Sequence, residues 1–308
     1  MIPLLLSLLG GCVPGYAHLG PLEPEDLWAP LPVEHTLVRD IDIAFIDSGG
    51  EGPPIVLIHG LSSSMGFWEY QVEELAKTHR VLALDLPGYG ASGRPDAPCT
   101  PSWYADVVDE WMFAQGLDRA VVMGHSMGGQ VAMELALRHP ERVDRLVLSA
   151  PAGIESFGPG AARFMKGFWT ETRAMESSEE QVRANFQTMV FNRMDEGVER
   201  LIQERVRLGQ SPRFAGTSVA ISRSIAGMID YPVGERARGI TAPTLIIYGS
   251  EDRMIPNPVF NGGRPRAIAE KAHALIPHSR LVVIEGAGHT VHHDSPRAFN
   301  RAVEEFLP

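Results

Sequence analysis

The sequence predicts an α/β fold in which a mostly parallel, doubly wound sheet is interrupted by an inserted helical segment. Short, almost wholly apolar runs recur along the chain, and each is followed by a turn and a helical pattern. This strand–helix–strand rhythm is typical of parallel sheets covered by helices. The rhythm stops at Pro151 and resumes near residue 242, with only helical patterns between. The 308 residues, 44% of them hydrophobic, suffice for one large core.

The N-terminal region differs from the rest of the chain. Residues 1–11 form an apolar run too short to cross a bilayer and typical of a signal-peptide core. Leu9-Gly10-Gly11-Cys12 resembles the cleavage box of bacterial lipoproteins, in which the cysteine is lipidated, although no Lys or Arg precedes the run. We expect an exported lipoprotein, membrane-anchored through Cys12 or periplasmic, and a cytoplasmic protein if the run is not a signal. Residues 12–35 are proline-rich and aperiodic, which predicts a linker.

The predicted core occupies residues 36–151 and 239–308. Alternating apolar and polar residues over 36–47 predict a pair of half-buried strands arranged like a hairpin. Buried strands are predicted at 54–59, 80–85, 120–125, 143–150, 242–252 and 279–289. Helices are predicted around 67–78, 104–115, 128–139, 265–276 and 295–307. Residues 152–238 are assigned to the inserted helical unit.

Composition excludes several classes of protein. The formal charge of −11 argues against a nucleic-acid partner, which would call for clustered Lys and Arg. Two cysteines, Cys12 and Cys99, exclude a disulfide-stapled scaffold, and no metal-ligand spacing is found. We therefore expect no metal and no cofactor.

The segment Gly124-His125-Ser126-Met127-Gly128 fits the pattern G-x-S-x-G, with an apolar strand before it and a helical pattern after it. A serine on a tight strand-to-helix turn sits at a strained backbone angle, so the residues two positions away must be small. The first amides of the following helix point to the same place, which suits a developing oxyanion. The pattern indicates a nucleophile, against the alternative of a simple turn serine.

A serine nucleophile needs a base, and the base needs an orienting acid. Glu251 and Asp252 end one predicted strand, and His289 ends the next. Open α/β sheets place their ligands at these carboxyl ends of strands. His292 and His293 are rivals to His289, which is favoured because Gly286-Ala287-Gly288 allows a sharp exit from the strand.

From residue 36 onward the chain resembles the α/β-hydrolase family. The segments HGLSSS, DLPGYGASGRP, GHSMGG, APTLIIYGSEDRMIP and GAGHTVHHDSPRAFNRAVEEFL match family blocks in the family's order. The resemblance implies Ser126 as nucleophile, Asp252 as acid and His289 as base, with the amides of Leu61 and Met127 forming the oxyanion hole. It also implies that the helical unit at 152–238 is the family's cap.

The resemblance also implies a reaction class. Epoxide hydrolases and haloalkane dehalogenases of this family carry an aspartate at the nucleophile position, so Ser126 favours acyl transfer. The expected function is hydrolysis of carboxylic esters, as by an esterase or a lipase, with aliphatic esters or monoacylglycerols as substrates. The alternatives are a carbon–carbon bond hydrolase of a ring-cleavage product, a cofactor-free haloperoxidase-like member, and a lipid-anchored binding module without activity. His59, Trp68, His125, Phe168 and Trp169 are interpreted as residues of the substrate pocket, His59 also as a brace of the oxyanion loop.

Overall fold

The computed structural model describes residues 15–175 and 178–307. The apolar run at 1–11 and Cys12 lie outside these residues. Eight strands form one sheet in the order β1-β2-β4-β3-β5-β6-β7-β8. Their bounds are β1 Glu34–Val38, β2 Ile41–Asp47, β3 Pro54–Ile58, β4 Arg80–Leu84, β5 Ala120–His125, β6 Val143–Ser149, β7 Thr244–Gly249 and β8 Ser279–Ile284.

The sheet is parallel except at one edge. β1 pairs antiparallel with β2, and β2 pairs antiparallel with β4, whereas all pairs from β4 to β8 are parallel. β5 is buried along its whole length near the centre of the sheet, as expected for a strand covered on both faces. The predicted doubly wound α/β fold is confirmed.

Helices cover both faces of this sheet. α2 (Pro101–Ala114) begins after Thr100, whose hydroxyl accepts a hydrogen bond from the Trp103 amide and so caps the helix. The other helices of the core are α1 (Glu69–Leu75), α3 (Met127–Arg138), α9 (Pro265–Leu275), α10 (Val291–Asp294) and α11 (Pro296–Glu304). One face packs the larger apolar cluster, including Trp111 and Tyr104, and the other face packs Trp68 and Phe299.

Five helices lie between β6 and β7. They are α4 (Pro159–Phe168), α5 (Glu171–Met175), α6 (Glu179–Asn185), α7 (Glu196–Leu208) and α8 (Phe214–Asp230), and a π-helical turn, Phe186–Val190, follows α6. Within the described part of this stretch there is no strand. No helix of the described residues is long and apolar enough to cross a membrane.

Residues 15–33, here called the N-terminal strap, lie along the helical segment. The Tyr16 hydroxyl donates to Glu199 Oε1 at 2.6 Å, and the Leu22 amide donates to the Arg207 carbonyl at 3.1 Å. The side chain of Leu22 is buried. Further along, the Arg200 guanidinium lies 4.1 Å above the ring of Trp28. The described part of the predicted linker is therefore fixed against α7.

A buried carboxylate fastens the strap. Glu204 Oε1 accepts a hydrogen bond from the Trp28 amide at 2.8 Å. Burial raises the pKa of Glu204 from its usual value of 4.5 to about 7, although the hydrogen bond from Trp28 and the charge of Arg200 act to lower it. The unfolded chain therefore loses this proton at a lower pH than the folded chain does.

Glu204→Gln is expected to change how stability depends on pH. Between about pH 5 and pH 7 the folded wild type retains a proton that the unfolded chain has lost, so its free energy of unfolding falls as pH rises. Glutamine keeps an acceptor for Trp28 and removes this titration, so at pH 8 the variant should be more stable, by on the order of 2 kcal/mol. Urea unfolding at several pH values measures this. Glu196→Gln, which changes an exposed carboxylate of α7, is the control; an equal pH dependence in Glu204→Gln and wild type would contradict the prediction.

Candidate active site

The turn between β5 and α3 holds Ser126 in a strained conformation. Its backbone has φ 53° and ψ −117°, and residues other than glycine rarely adopt such a positive φ. The Ser126 amide donates to the Ser149 carbonyl at 2.9 Å, and the Ser126 carbonyl accepts from Gln130 and Ala152. These three hydrogen bonds fix the turn. The Ser126 side chain lies at the carboxyl end of β5.

The flanking glycines are required by close packing. A Cβ on Gly124 would lie 2.2 Å from the Gly128 carbonyl oxygen. A Cβ on Gly128 would lie 2.2 Å from the Ile58 carbonyl oxygen and 2.4 Å from that of His59. Because these obstacles are backbone atoms, they cannot move aside as a side chain would. The end of β3 and the turn of Ser126 are therefore in direct contact.

Gly128→Ala is expected to destabilise the protein by about 3 kcal/mol or more, because the new methyl group overlaps the backbone at the end of β3. Gly160→Ala is the matched control. A Cβ there meets nothing within 4 Å in α4, and alanine is the better helix former, so this variant should be neutral or slightly stabilised. Thermal unfolding compares the two variants, and equal melting temperatures would refute the steric argument.

Asp252 and His289 form a buried pair beyond the ends of β7 and β8. His289 Nδ1 lies 2.9 Å from Asp252 Oδ2. The other oxygen, Oδ1, accepts from the amides of Met254 and Ile255 at 2.8 and 2.9 Å. Since a carboxylate only accepts, His289 Nδ1 is the donor of this bond, which leaves Nε2 as the ring nitrogen that can accept a proton.

The histidine beside the serine connects these two parts of the site. His125 Nε2 donates to the His289 carbonyl oxygen at 3.2 Å, and the two ring centroids are 4.8 Å apart. Burial, together with the neighbouring His292 and His289, holds the pKa of His125 well below its usual range, so its ring is neutral. Ser126 and His289 thus belong to one contiguous site, in which Ser126, Asp252 and His289 are all buried.

The amides predicted to bind an oxyanion lie on two adjoining segments. Met127 is the first residue of α3, so its amide has no acceptor within the helix. Leu61 follows the end of β3, the strand that touches the turn of Ser126. His59 braces this segment: its Nδ1 donates to the Gly60 carbonyl at 2.7 Å, and its Nε2 accepts from the Leu86 amide at 3.0 Å.

The residues predicted for the pocket fall into two groups. His59, Trp68 and His125 are buried, and Trp68 stacks on His292 with ring centroids 4.2 Å apart. Phe168 is half-buried and Trp169 is exposed in the helical segment, and their ring centroids are 5.2 Å apart. Among the described residues no ring contact joins the two groups, and their shared pocket stays a prediction.

Two carboxylates near the site were not predicted. Glu155 Oε2 accepts from the Asn257 amide at 2.9 Å and from Asn261 Nδ2 at 2.7 Å, which fixes the loop after Asp252. Burial raises the pKa of Glu155. Asp294 Oδ2 accepts from the Gly288 amide at 2.7 Å, directly before His289. Neither residue lies in a recognisable sequence pattern. Glu155 binds the backbone of a residue that is remote in sequence, and Asp294 binds the backbone of Gly288 across a turn.

Sequence comparisons place the chain among α/β hydrolases. The profile of the α/β hydrolase fold matches residues 53–296. A probable 1-acylglycerol-3-phosphate O-acyltransferase of Oryza sativa is 37% identical over 142 residues, which is 44% of this chain and 34% of that protein. The chain thus spans about a third of the length of that plant relative. A 1-acylglycerol-3-phosphate O-acyltransferase ABHD5 of Sus scrofa is 27% identical over 96% of this chain and 86% of its own length.

Solved structures share the fold over most of the chain. A probable hydrolytic enzyme of Pseudomonas aeruginosa superposes with a TM-score of 0.80 at 24% identity, covering 90% of this chain and 95% of the other. A membrane phospholipase A, described as a bacterial virulence factor, gives 0.74 at 25% identity, covering 90% and 86%. A meta-cleavage product hydrolase of Pseudomonas fluorescens gives 0.71 at 25% identity, covering 90% and 97%. Together with the profile match, the sheet order and the turn of Ser126, these similarities lead to one conclusion: the chain belongs to the α/β hydrolase fold family.

Proposed function

We propose that the protein is a serine hydrolase that cleaves carboxylic esters through an acyl-enzyme on Ser126. The observation that carries the proposal is the buried Asp252–His289 pair beside a strained serine turn. His289 Nε2 takes the Ser126 proton as Oγ attacks the ester carbonyl, and the ring then protonates the leaving alcohol. Water, activated by the same nitrogen, releases the acid and restores the serine.

The remaining parts of the site suit the same chemistry. The amides of Leu61 and Met127 bind the oxyanion that forms as the carbonyl is attacked. Residues 152–238 serve as the cap, and the Val190 carbonyl already accepts from the Thr290 amide at 3.1 Å, next to His289. The similarity to a membrane phospholipase A and to acylglycerol-phosphate acyltransferases favours aliphatic or glycerolipid esters as the substrate class.

The test is covalent labelling followed by a substrate panel. A fluorophosphonate probe should attach to one residue, and peptide mass spectrometry should locate the adduct on Ser126. The panel contains p-nitrophenyl esters of increasing chain length, monoacylglycerols and a ring-fission dienone. Absence of labelling would refute the proposal and favour a binding module without activity, whereas an adduct on another residue would refute the assignment of Ser126 as the nucleophile.

A carbon–carbon bond hydrolase is the second candidate, because the meta-cleavage product hydrolase of Pseudomonas fluorescens matches nearly the whole chain. It uses the same proposed triad, so labelling does not separate the two reactions. Turnover of the ring-fission dienone without turnover of any ester would select it. Turnover of esters alone would select the esterase.

A further inference from the structure

The helical segment and the loop after Asp252 together expose an aromatic surface. Phe164 and Phe168, four residues apart in α4, stack with ring centroids 6.0 Å apart. Phe260 packs against Phe164 at 5.9 Å, edge to face, and Trp169 packs against Phe168. The aromatic surface is defined by these four residues and Val259.

Four of these side chains are exposed, and that of Phe168 is half-buried. Phe164 is 60% exposed and Val259 is 79% exposed. Isolated apolar residues on a surface are ordinary, but five that lie in contact or next to one another in the chain form a patch of the kind that marks a binding surface.

The loop that carries Val259 and Phe260 is held by hydrogen bonds. Asn257 Oδ1 accepts from the amides of both residues, at 3.0 and 3.1 Å. Glu155 in turn accepts from the Asn257 amide and from Asn261 Nδ2. The exposed side chains are therefore held outward by a hydrogen-bonded turn, and their exposure is a property of the fold.

The two chain segments that carry this surface are locally basic. Residues 158–169 contain Arg163 and Lys166 and no acidic residue, and residues 259–268 contain Arg264 and Arg266 and no acidic residue. This is unusual in a chain with a formal charge of −11. Lys166 pairs with Asp230 and Arg266 with Glu285, whereas Arg163 and Arg264 are exposed and form no ion pair with any residue of the described ranges. The cation of Arg173 lies 3.7 Å above the ring of Phe168.

We propose that the aromatic surface docks on an anionic lipid bilayer, with Phe164, Trp169, Val259 and Phe260 entering the interface and Arg163 and Arg264 contacting the headgroups. Aromatic side chains with a basic rim match the boundary between acyl chains and anionic headgroups, and Trp is favoured there because its ring is apolar and its N–H is polar. Because Arg163 and Arg264 are exposed and have no ion-pair partner among the described residues, their cations are available to anionic headgroups, which favours this partner over a protein. Docking needs no lipid on Cys12 and does not depend on the proposed reaction.

The test is sedimentation of the full chain, carrying Cys12→Ser, with two kinds of vesicle. One is phosphatidylcholine alone, and the other contains equal parts of phosphatidylcholine and phosphatidylglycerol. Binding should be much stronger to the anionic vesicles and should weaken as salt is raised. Phe164→Ser/Phe260→Ser should weaken it on the order of tenfold or more. Arg163→Glu/Arg264→Glu should weaken binding to anionic vesicles and leave the weak binding to neutral vesicles unchanged.

Leu37→Ser/Phe113→Ser is the matched control, since both side chains are 72% exposed elsewhere on the protein. It should bind like the parent, and melting temperatures should show that all variants fold. Failure of the parent to bind anionic vesicles would overturn the proposal, as would equal binding by all variants. Concentration-dependent self-association that Phe164→Ser/Phe260→Ser removes, without vesicle binding, would assign the surface to a protein partner and also overturn it.

Discussion

Replacing Ser126 by alanine is expected to lower kcat by about 10⁴- to 10⁶-fold on any ester that the wild-type protein hydrolyses. The reason is that the acyl-enzyme can no longer form, and only binding and the oxyanion amides remain. The measurement is kcat on the best ester of the panel, with fluorophosphonate labelling as an independent readout. Ser218→Ala changes another buried serine, whose hydroxyl donates to the Ala215 carbonyl, and should leave kcat unchanged. Retained turnover in the Ser126 variant would exclude the assignment.

The same position offers a second readout that does not depend on substrate. Ser126→Gly should be as inactive as Ser126→Ala, but more stable than it by about 1 kcal/mol, because glycine adopts φ 53° without steric cost. Thermal unfolding of the two variants measures this difference. A glycine variant less stable than the alanine variant would show that the turn is not strained.

Asp252→Asn is expected to lower kcat by about 10⁴-fold with little loss of stability. Asparagine keeps an oxygen for the amides of Met254 and Ile255, so its NH₂ group faces His289 Nδ1. That nitrogen must then become the acceptor, and the ring proton moves to Nε2, where the base is no longer able to take a proton from serine. Kinetics on the best ester give the change in kcat.

The neighbouring acid provides the control for this prediction. Glu251 accepts from Asn192 Nδ2 at 2.9 Å and is exposed, so Glu251→Gln should leave kcat unchanged. A large loss of kcat in Glu251→Gln together with a small loss of kcat in Asp252→Asn would show that Glu251, and not Asp252, is the acid. A pH-rate profile of each variant distinguishes a lost base from a general loss of structure.

Sequence periodicity predicts the sheet well because its strands are short, apolar on both faces and separated by clear turns. The predicted strand at 120–125 is β5, with identical bounds. For residues 152–238 the sequence predicts only that the segment is helical, and it does not predict the division at Trp169-Thr170 into α4 and α5. The break has a local cause, because Thr170 Oγ1 accepts from the Arg173 amide at 3.3 Å and so caps the start of α5.

The parts of the site that are formed by residues close in sequence could be predicted. The parts that join residues far apart in sequence could not. The strained turn at Ser126 follows from a five-residue pattern, because Gly124 and Gly128, which leave room for it, are near it in sequence. The contact between His125 and His289 joins residues 164 positions apart. Trp68 resembles a pocket residue because it follows the predicted oxyanion loop, yet its ring lies in the core against His292. Whether such a residue lies in the core or in the pocket depends on the direction of its side chain relative to the sheet. The spacing of residues in the sequence does not determine that direction.

The helical segment between β6 and β7 is unevenly anchored, and this determines which part of it opens first. α4 contains no buried residue, whereas α7 buries Val198 and Ile202 and is bound along its length by the N-terminal strap. The free energy of local opening should therefore be small in α4 and approach that of global unfolding in α7. In hydrogen exchange, the amides of α4 should be replaced well before those of α7. The element that carries Phe164 can therefore leave its place at a lower free-energy cost than α7, so a bilayer would contact the part of the helical segment that opens more readily.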